Sequence, residues 1–175
     1  MKKRRILNVG CGNDVYGTDF VDLYPFRSEI IKCDLDSEEL PYKTEAFDEV
    51  YSGFMIEHMR NINSAIEKMK RVLKRSGKIV LKTDNAGWWA FHNSKSKALV
   101  HYGGYGSHGK KDIHYALFTP EHLKNHLEYL GFKKITFCYF EGEEGKVIKL
   151  INYFLSKTRF KFMAYPHIKI EAIKS

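Results

Sequence analysis

Short apolar runs separated by polar turns recur along most of the chain, and this pattern predicts a sheet whose strands are joined by helices and loops. Strands are predicted over residues 6–9, 18–22, 29–34, 49–52, 78–83, 132–140 and 166–173. Apolar residues three or four positions apart predict helices over 55–60, 62–73 and 120–130, and one helix or a broken pair over 146–165. Strands that alternate with helices or loops favour a parallel sheet.

The ends of two predicted helices carry local signals. Thr119 is expected to cap the helix that begins at Pro120, because a threonine oxygen can accept from a free amide of the first turn. Gly131 is expected to close that helix. Ser76 and Gly77 are expected to stop the preceding helix before the next strand.

Composition predicts a single packed domain over residues 1–175. The chain is 43% hydrophobic and 14% aromatic, which is sufficient for a globular core. No apolar run is long enough to span a bilayer, and residues 6–9 are too short for a signal-peptide core, so a cytoplasmic protein is expected. Cys11, Cys33 and Cys138 show no metal or redox spacing and are expected to be reduced. The oligomeric state stays open.

The formal net charge of +8 raises the question of a nucleic-acid partner. The lysines and arginines are scattered over many segments instead of forming one cluster. Dispersed charge is typical of a solvated surface, so a nucleic-acid partner remains open but is not favoured.

Gly10 and Gly12 directly follow the first predicted strand. Glycines at this point allow the backbone to approach a ligand closely, although an ordinary tight turn or a phosphate loop would use them as well. The dinucleotide-binding pattern Gly-x-Gly-x-x-Gly would require a glycine at position 15, where Val15 stands.

Residues 85–116 lack periodicity and are predicted to form a substrate loop. The segment is longer than a simple connection and contains two tryptophans and four histidines. Trp88, Trp89, His114 and Tyr115 are the candidate substrate-binding residues. An exposed histidine-rich loop that also includes His92, His101 and His108 is the alternative.

Taken in order, several segments resemble the class I S-adenosylmethionine-dependent methyltransferases, in particular a short branch that opens with Leu-Asn-x-Gly-Cys-Gly-Asn. The similar segments are 7–14, 21–23, 33–35, 40–42, 47–50, 56–58, 71–77 and 129–132. The resemblance implies an α/β, Rossmann-like fold with a mostly parallel seven-stranded sheet, an antiparallel last strand and helices on both faces. Residues 145–165 would be a helical insertion.

The resemblance also implies S-adenosyl-L-methionine as cofactor and assigns its contacts. The methionine part would lie on the turn formed by Gly10, Cys11, Gly12 and Asn13. Asp22 would accept from the ribose hydroxyls, with Leu23 beside it, while Asp34 and the amide of Leu35 would contact adenine. Ser52, Gly53 and Met55 would line the adenine or sulfonium side.

These assignments have structural alternatives. Asp22 and Asp34 could be turn-forming caps, and Met55 could belong to the core. The chain also departs from many relatives, because Asn8 stands where they carry an acid and Asp14 where they carry a third glycine. Only about a dozen residues separate Gly10 from Asp22, so the usual first helix must be very short or missing.

The predicted reaction is methyl transfer to a small-molecule, saccharide or lipid-linked acceptor, with oxygen slightly favoured over nitrogen. His58 is the candidate general base, and a structural histidine is the alternative. No metal is predicted, because Glu57 and His58 lack a further upstream glutamate, and His122 and His126 lack the glutamate of His-Glu-x-x-His. No Asn-Pro-Pro-Tyr motif is present, which argues against methylation of base amino groups. An RNA or protein methyltransferase, or a non-catalytic adenosine-ligand binding protein, remains as an alternative.

Overall fold

A computed structural model of the protein describes residues 4–90, 104–105 and 111–175. The strands are β1 Ile6–Val9, β2 Asp19–Asp22, β3 Ile30–Lys32, β4 Phe47–Gly53, β5 Leu73–Asp84, β6 Gly104–Tyr105, β7 Lys111–Asp112, β8 Phe132–Phe140 and β9 His167–Lys174. The α-helices are α1 Ile62–Val72, α2 Pro120–Tyr129 and α3 Lys146–Ser156, and two short 3₁₀ helices cover Ile56–His58 and Lys161–Met163.

Seven of these strands form one sheet in the order β3-β2-β1-β4-β5-β9-β8. Neighbours among β1 to β5 pair in parallel. The last strand, β9, lies antiparallel between β5 and β8. The predicted Rossmann-like sheet, mostly parallel with an antiparallel last strand, is therefore confirmed, while β6 and β7 pair separately.

Helices α1 and α2 pack into the same hydrophobic core. Met69 of α1 and Leu127 of α2 are fully buried with Leu7, Leu81 and Ile170 from the sheet. Removing each such side chain from water stabilises the fold by roughly 1.5–3 kcal/mol. The alternation along β1, β4, β5 and β9 directs every second side chain into this core.

The opposite side chains of the same strands form a charged layer. Glu49, whose side chain is only 1% exposed, lies 2.7 Å from the guanidinium of Arg4 and 3.3 Å from Nζ of Lys78. Tyr16 donates its hydroxyl to Glu49 at 2.6 Å, and this hydrogen bond, with burial, raises the pKa of Tyr16 to about 12. As expected from the short spacing between Gly10 and Asp22, the first helix is missing, and a turn in its place carries Tyr16. Tyr16 borders a cleft of about 310 Å³.

The helix ends agree with prediction in one case and differ in another. Thr119 Oγ1 accepts from the His122 amide at 3.4 Å, and Gly131 has φ +78°, as expected for a helix cap and a helix stop. The helix predicted over 62–73 ends at Val72, close to its expected end, but Ser76 and Gly77 do not stop it. They lie inside β5, which begins at Leu73 and not at Lys78 as predicted. Leu73 is extended because it pairs with Phe47 of β4. Among the described helices, none has the length and apolar character needed to cross a membrane.

Candidate functional site

The carboxyl ends of β1, β2, β3 and β4 meet at one edge of the sheet because these strands run parallel. The glycine turn follows β1, Asp22 ends β2, Asp34 follows β3, and the 3₁₀ helix with His58 follows β4. Parallel α/β sheets bind ligands at this edge. The topology therefore brings most of the predicted site residues to one side of the molecule.

The glycine turn has the backbone that its sequence suggests. Gly10 and Gly12 have φ values of +68° and +47°, in the left-handed region that favours glycine. A Cβ at Gly10 would lie 2.2 Å from Met55 Cγ, whereas a Cβ at Gly12 would meet nothing within 4 Å. Gly10 thus packs against the protein, and Gly12 opens onto space that a ligand can use.

Asp22 connects the turn to the end of β2. One carboxylate oxygen accepts from the Gly12 amide and the other from the Tyr24 amide, both at 2.7 Å. A carboxylate offers about four acceptor positions, so two hydroxyl groups can still bind. The residues present therefore fit the ribose of an adenosine cofactor beside the open side of Gly12.

The rest of the turn has mixed exposure. Cys11 is buried, and burial together with the nearby Asp22 charge raises the pKa of its thiol to about 11. The Asn13 side chain is exposed, and its carbonyl accepts from Arg27 at 3.2 Å. Leu23 is 39% exposed and can cover a ligand at the end of β2.

Asp34 is engaged in a turn of its own. Its carboxylate accepts from the Asp36 amide at 3.1 Å and from the Ser37 hydroxyl at 2.9 Å. The Leu35 side chain is buried, and its carbonyl accepts from Lys68 at 2.7 Å. Asp34 therefore acts as the turn cap named as its alternative, and any contact with adenine would share these oxygens.

The residues after β4 face two ways. The Ser52 side chain is fully buried, so only its backbone is available to a ligand. Gly53 ends β4, and the adjoining Met55 is 9% exposed and contacts both the core and the glycine turn. Met55 is therefore a core residue, which was its alternative, and its contact with the cofactor stays a prediction.

His58 contacts the segment that follows β7. Its Nδ1 lies 3.1 Å from the carbonyl of Ile113, and its ring centroid lies 4.6 Å from that of His114. A carbonyl only accepts, so Nδ1 carries the proton and Nε2 is the basic nitrogen of the neutral ring. This arrangement orients His58 as a general base requires.

Glu57 and His114 complete a cluster around His58. The Glu57 carbonyl accepts from the amides of Tyr115 and Ala116 at 2.8 and 3.2 Å, which fixes the loop on the 3₁₀ helix. Potential ligand atoms of Glu57, His58 and His114 lie within 4.8 Å of one another, close enough to hold a metal ion. Sequence reasoning missed this cluster because His114 is distant in the chain and has no fixed spacing from His58.

The four predicted substrate residues lie in two groups. His114 and Tyr115 lie beside His58, and the ring of the half-exposed Tyr115 faces the Arg60 guanidinium at 5.7 Å. Trp88 and Trp89 instead donate their indole N–H groups to Asn152 Oδ1 of α3, at 3.2 and 2.7 Å. The two tryptophans therefore anchor the helical insertion, a contact that the sequence did not indicate.

Other histidines do not join this cluster in the part of the chain that is described. His126 Nδ1 pairs with Asn63 Oδ1 at 2.7 Å, and burial lowers its pKa. His122 is exposed on α2. His92, His101 and His108 lie outside the described residues, as does much of the predicted substrate loop 85–116.

Comparison with known proteins agrees with this geometry. Residues 19–81 match a family described as "Methyltransferase domain". A tRNA U34 carboxymethyltransferase of Hahella chejuensis is 29% identical over 106 residues, which are 47% of this chain and 33% of that protein. The chain thus spans about a third of the length of this curated relative.

Solved structures share the whole fold. A methyltransferase dependent on S-adenosylmethionine from Archaeoglobus fulgidus has a TM-score of 0.67 at 19% identity, with 99% of this chain and 87% of that chain covered. One from Thermotoga maritima has a TM-score of 0.68 at 14% identity, over 100% and 84%. A phosphoethanolamine N-methyltransferase 2 of Haemonchus contortus, solved with S-adenosyl-L-methionine, has a TM-score of 0.64 at 17% identity, over 99% and 49%.

The fold is that of the class I S-adenosylmethionine-dependent methyltransferases. Residues 19–81 match a methyltransferase domain, and one of the structures with this fold was solved with S-adenosyl-L-methionine bound. The fold expected from the sequence is thereby confirmed. The match to a methyltransferase domain supports the family and the cofactor that the resemblance implies, whereas the acceptor and the individual site residues remain predictions.

Proposed function

We propose that the protein transfers a methyl group from S-adenosyl-L-methionine to an oxygen of a small-molecule, saccharide or lipid-linked acceptor, with His58 as general base. The observation that carries this proposal is the orientation of His58, whose Nδ1 is held by the Ile113 carbonyl at the cofactor edge of the sheet. The cofactor, when bound, supplies an electrophilic methyl group on a sulfonium. The protein then has to align the acceptor and remove its proton.

Different residues at the carboxyl edge of the sheet position the cofactor and remove the proton. Asp22 binds the ribose hydroxyls while it holds the Gly12 amide, so cofactor position and turn geometry depend on one side chain. Nε2 of His58 takes the acceptor proton as the new bond forms. Alignment can contribute roughly 7–11 kcal/mol to such a displacement. A positioned base adds about 100-fold or more to the rate.

Cofactor binding is tested by titration calorimetry on Asp22→Ala. We expect at least a tenfold weaker affinity for S-adenosyl-L-methionine, because the ribose acceptors and the Gly12 contact are both lost. Asp19→Ala is a matched control, since Asp19 begins the same strand and pairs with Arg5. Unchanged affinity in Asp22→Ala, with the fold verified by circular dichroism, would show that the ribose contact lies elsewhere.

The base is tested with tritiated cofactor and a panel of sugars, phenols and lipid-linked saccharides. For an acceptor that is methylated, we expect His58→Ala to lower turnover by about 100-fold with little change in cofactor affinity. His122→Ala on exposed α2 is the control, and full turnover by His58→Ala would rule out the base. Cofactor binding without methylation of any acceptor would favour a non-catalytic adenosine-ligand binding protein.

A tRNA acceptor is the second candidate. The net charge of +8 and the similarity to a protein named for tRNA U34 support it. Genuine tRNA binding should weaken steeply with added salt, because neutralised phosphates release counterions. Methylation of tRNA in preference to the small acceptors, with such a salt dependence, would replace the first candidate.

A further inference from the structure

Helix α3 exposes a stripe of large apolar side chains. Val147, Leu150, Ile151, Tyr153 and Phe154 are 73%, 57%, 38%, 59% and 62% exposed. At about 100° per residue these five positions fall within roughly half of the helix circumference. We call this set the α3 stripe. Contiguous exposed apolar surface of this kind marks an interaction site on a folded protein.

The other side of α3 is where the helix joins the protein. Asn152 is buried and accepts from both tryptophan indoles. Ile148 packs against the cluster of Trp88 and Ala90. Because this side is fixed, the helix cannot turn the α3 stripe inward without breaking the contacts of Asn152.

The surroundings of the stripe are basic. Residues 145–165 contain Lys146, Lys149, Lys157, Arg159 and Lys161 and no aspartate or glutamate, and the acidic residues Glu141, Glu143 and Glu144 lie just before α3. Among the described residues, none of these cations forms an ion pair with a carboxylate. Lys157 and Arg159 instead lie over the rings of Tyr153 and Phe160, at 5.2 and 4.9 Å.

The stripe lies at the same edge of the sheet as the candidate site. Residues 141–166 connect β8 to β9, and β9 begins where β5 ends, since Asp84 pairs with His167. Asn85, just beyond β5, donates to the carbonyls of Phe162 and Tyr165, both at 2.8 Å. A partner bound to α3 would therefore lie near the carboxyl edge of the sheet, which carries the glycine turn and His58.

We propose that α3 and the following 3₁₀ helix bind the surface of an anionic lipid bilayer. Apolar side chains flanked by unpaired cations are the features of a helix that lies in the membrane interface, with the chains in the acyl boundary and the cations among anionic headgroups. A second copy of the chain is a poorer occupant, because a two-fold contact would bring the same cations together. The proposal goes beyond the methyl transfer and does not depend on it.

Vesicle cosedimentation tests the proposal on the full chain. We expect binding to phosphatidylcholine vesicles that contain about one quarter phosphatidylglycerol, and much weaker binding to phosphatidylcholine alone. Leu150→Gln/Phe154→Gln should reduce binding at least tenfold, as should Lys149→Gln/Lys157→Gln. Leu117→Gln/Tyr129→Gln is the matched control, because these side chains are 42% and 79% exposed on other segments. This control should bind as the wild type does.

Three results would overturn the proposal. They are no binding of the wild type to anionic vesicles, equal binding to both vesicle types, and undiminished binding of the stripe variant. Light scattering tests the alternative that the α3 stripe joins two copies of the chain. A dimer that dissociates in Leu150→Gln/Phe154→Gln, together with no vesicle binding, would show such a contact and overturn the proposal. Asp22→Ala should bind vesicles normally, so failure of the cofactor assignment and failure of membrane binding are distinguishable.

Discussion

Replacing Gly10 with alanine would place a methyl carbon 2.2 Å from Met55 Cγ and 2.7 Å from Met55 Cβ. Two costs then add. A side chain in the left-handed region costs about 1–2 kcal/mol, and overpacking of a buried site costs about 1–3 kcal/mol more. We therefore expect Gly10→Ala to lower the free energy of unfolding by about 2–5 kcal/mol.

Gly12→Ala separates these two costs. Gly12 also has a positive φ, but its added Cβ would meet nothing within 4 Å. The free energy of unfolding should fall by only about 1–2 kcal/mol. Because the new methyl group occupies the space left for the cofactor, affinity for S-adenosyl-L-methionine should nevertheless fall at least tenfold.

Urea denaturation followed by far-UV circular dichroism gives the two stabilities, and calorimetry gives the affinities. Equal destabilisation by the two variants would refute the argument that Gly10 is in contact with Met55. Unchanged cofactor affinity in Gly12→Ala would refute the argument that the open side of Gly12 faces the ligand.

Three other contacts lead to measurable outcomes. Asn152→Leu removes the acceptor of both indole N–H groups and should cost about 1–3 kcal/mol with a red shift of tryptophan emission, whereas Asn152→Asp should retain most of the stability. The hydrogen bond from Lys169 lowers the pKa of Glu171 below its ordinary 4.5. The stability that this ion pair provides is therefore complete above about pH 5 and is lost as pH falls through the lowered pKa. Glu171→Gln should flatten this acid dependence of Tm. At about pH 8 a disulfide reagent should modify the exposed Cys138 and spare Cys11, because burial and a pKa of about 11 keep the Cys11 thiol protonated. Rapid modification of the Cys11 thiol would contradict its burial.

The sequence predicted those elements whose causes are local. Thr119, Pro120 and Gly131 mark the ends of α2 through their own backbone preferences, and each has the expected role. Alternation and apolar periodicity similarly predicted the strands of the sheet. The start of β5 at Leu73 was missed because the pairing of Leu73 with Phe47 is a long-range contact, which neither local pattern reveals.

The position of the candidate site in the fold was predictable for the same reason. Parallel strands bring the ends of β1 to β4 together, so Gly12 and Asp22 could be assigned to one edge before their hydrogen bond was known. The contact of His58 with His114 depends on the path of a loop and could not be read from spacing. Apolar periodicity likewise predicted α3, but it did not show which side of this helix packs against the rest of the protein.

The position of β9 also determines the order in which the sheet can assemble. β8 is an edge strand and joins the sheet through β9, which in turn pairs along its length with β5. The pairing of Lys78 with Ile173 closes a longer loop than the pairing of Phe140 with His167. Such non-local pairing slows folding. The docking of β9 on β5 is therefore the slow step, and until it occurs the apolar faces of β5 and β9 are exposed to aggregation.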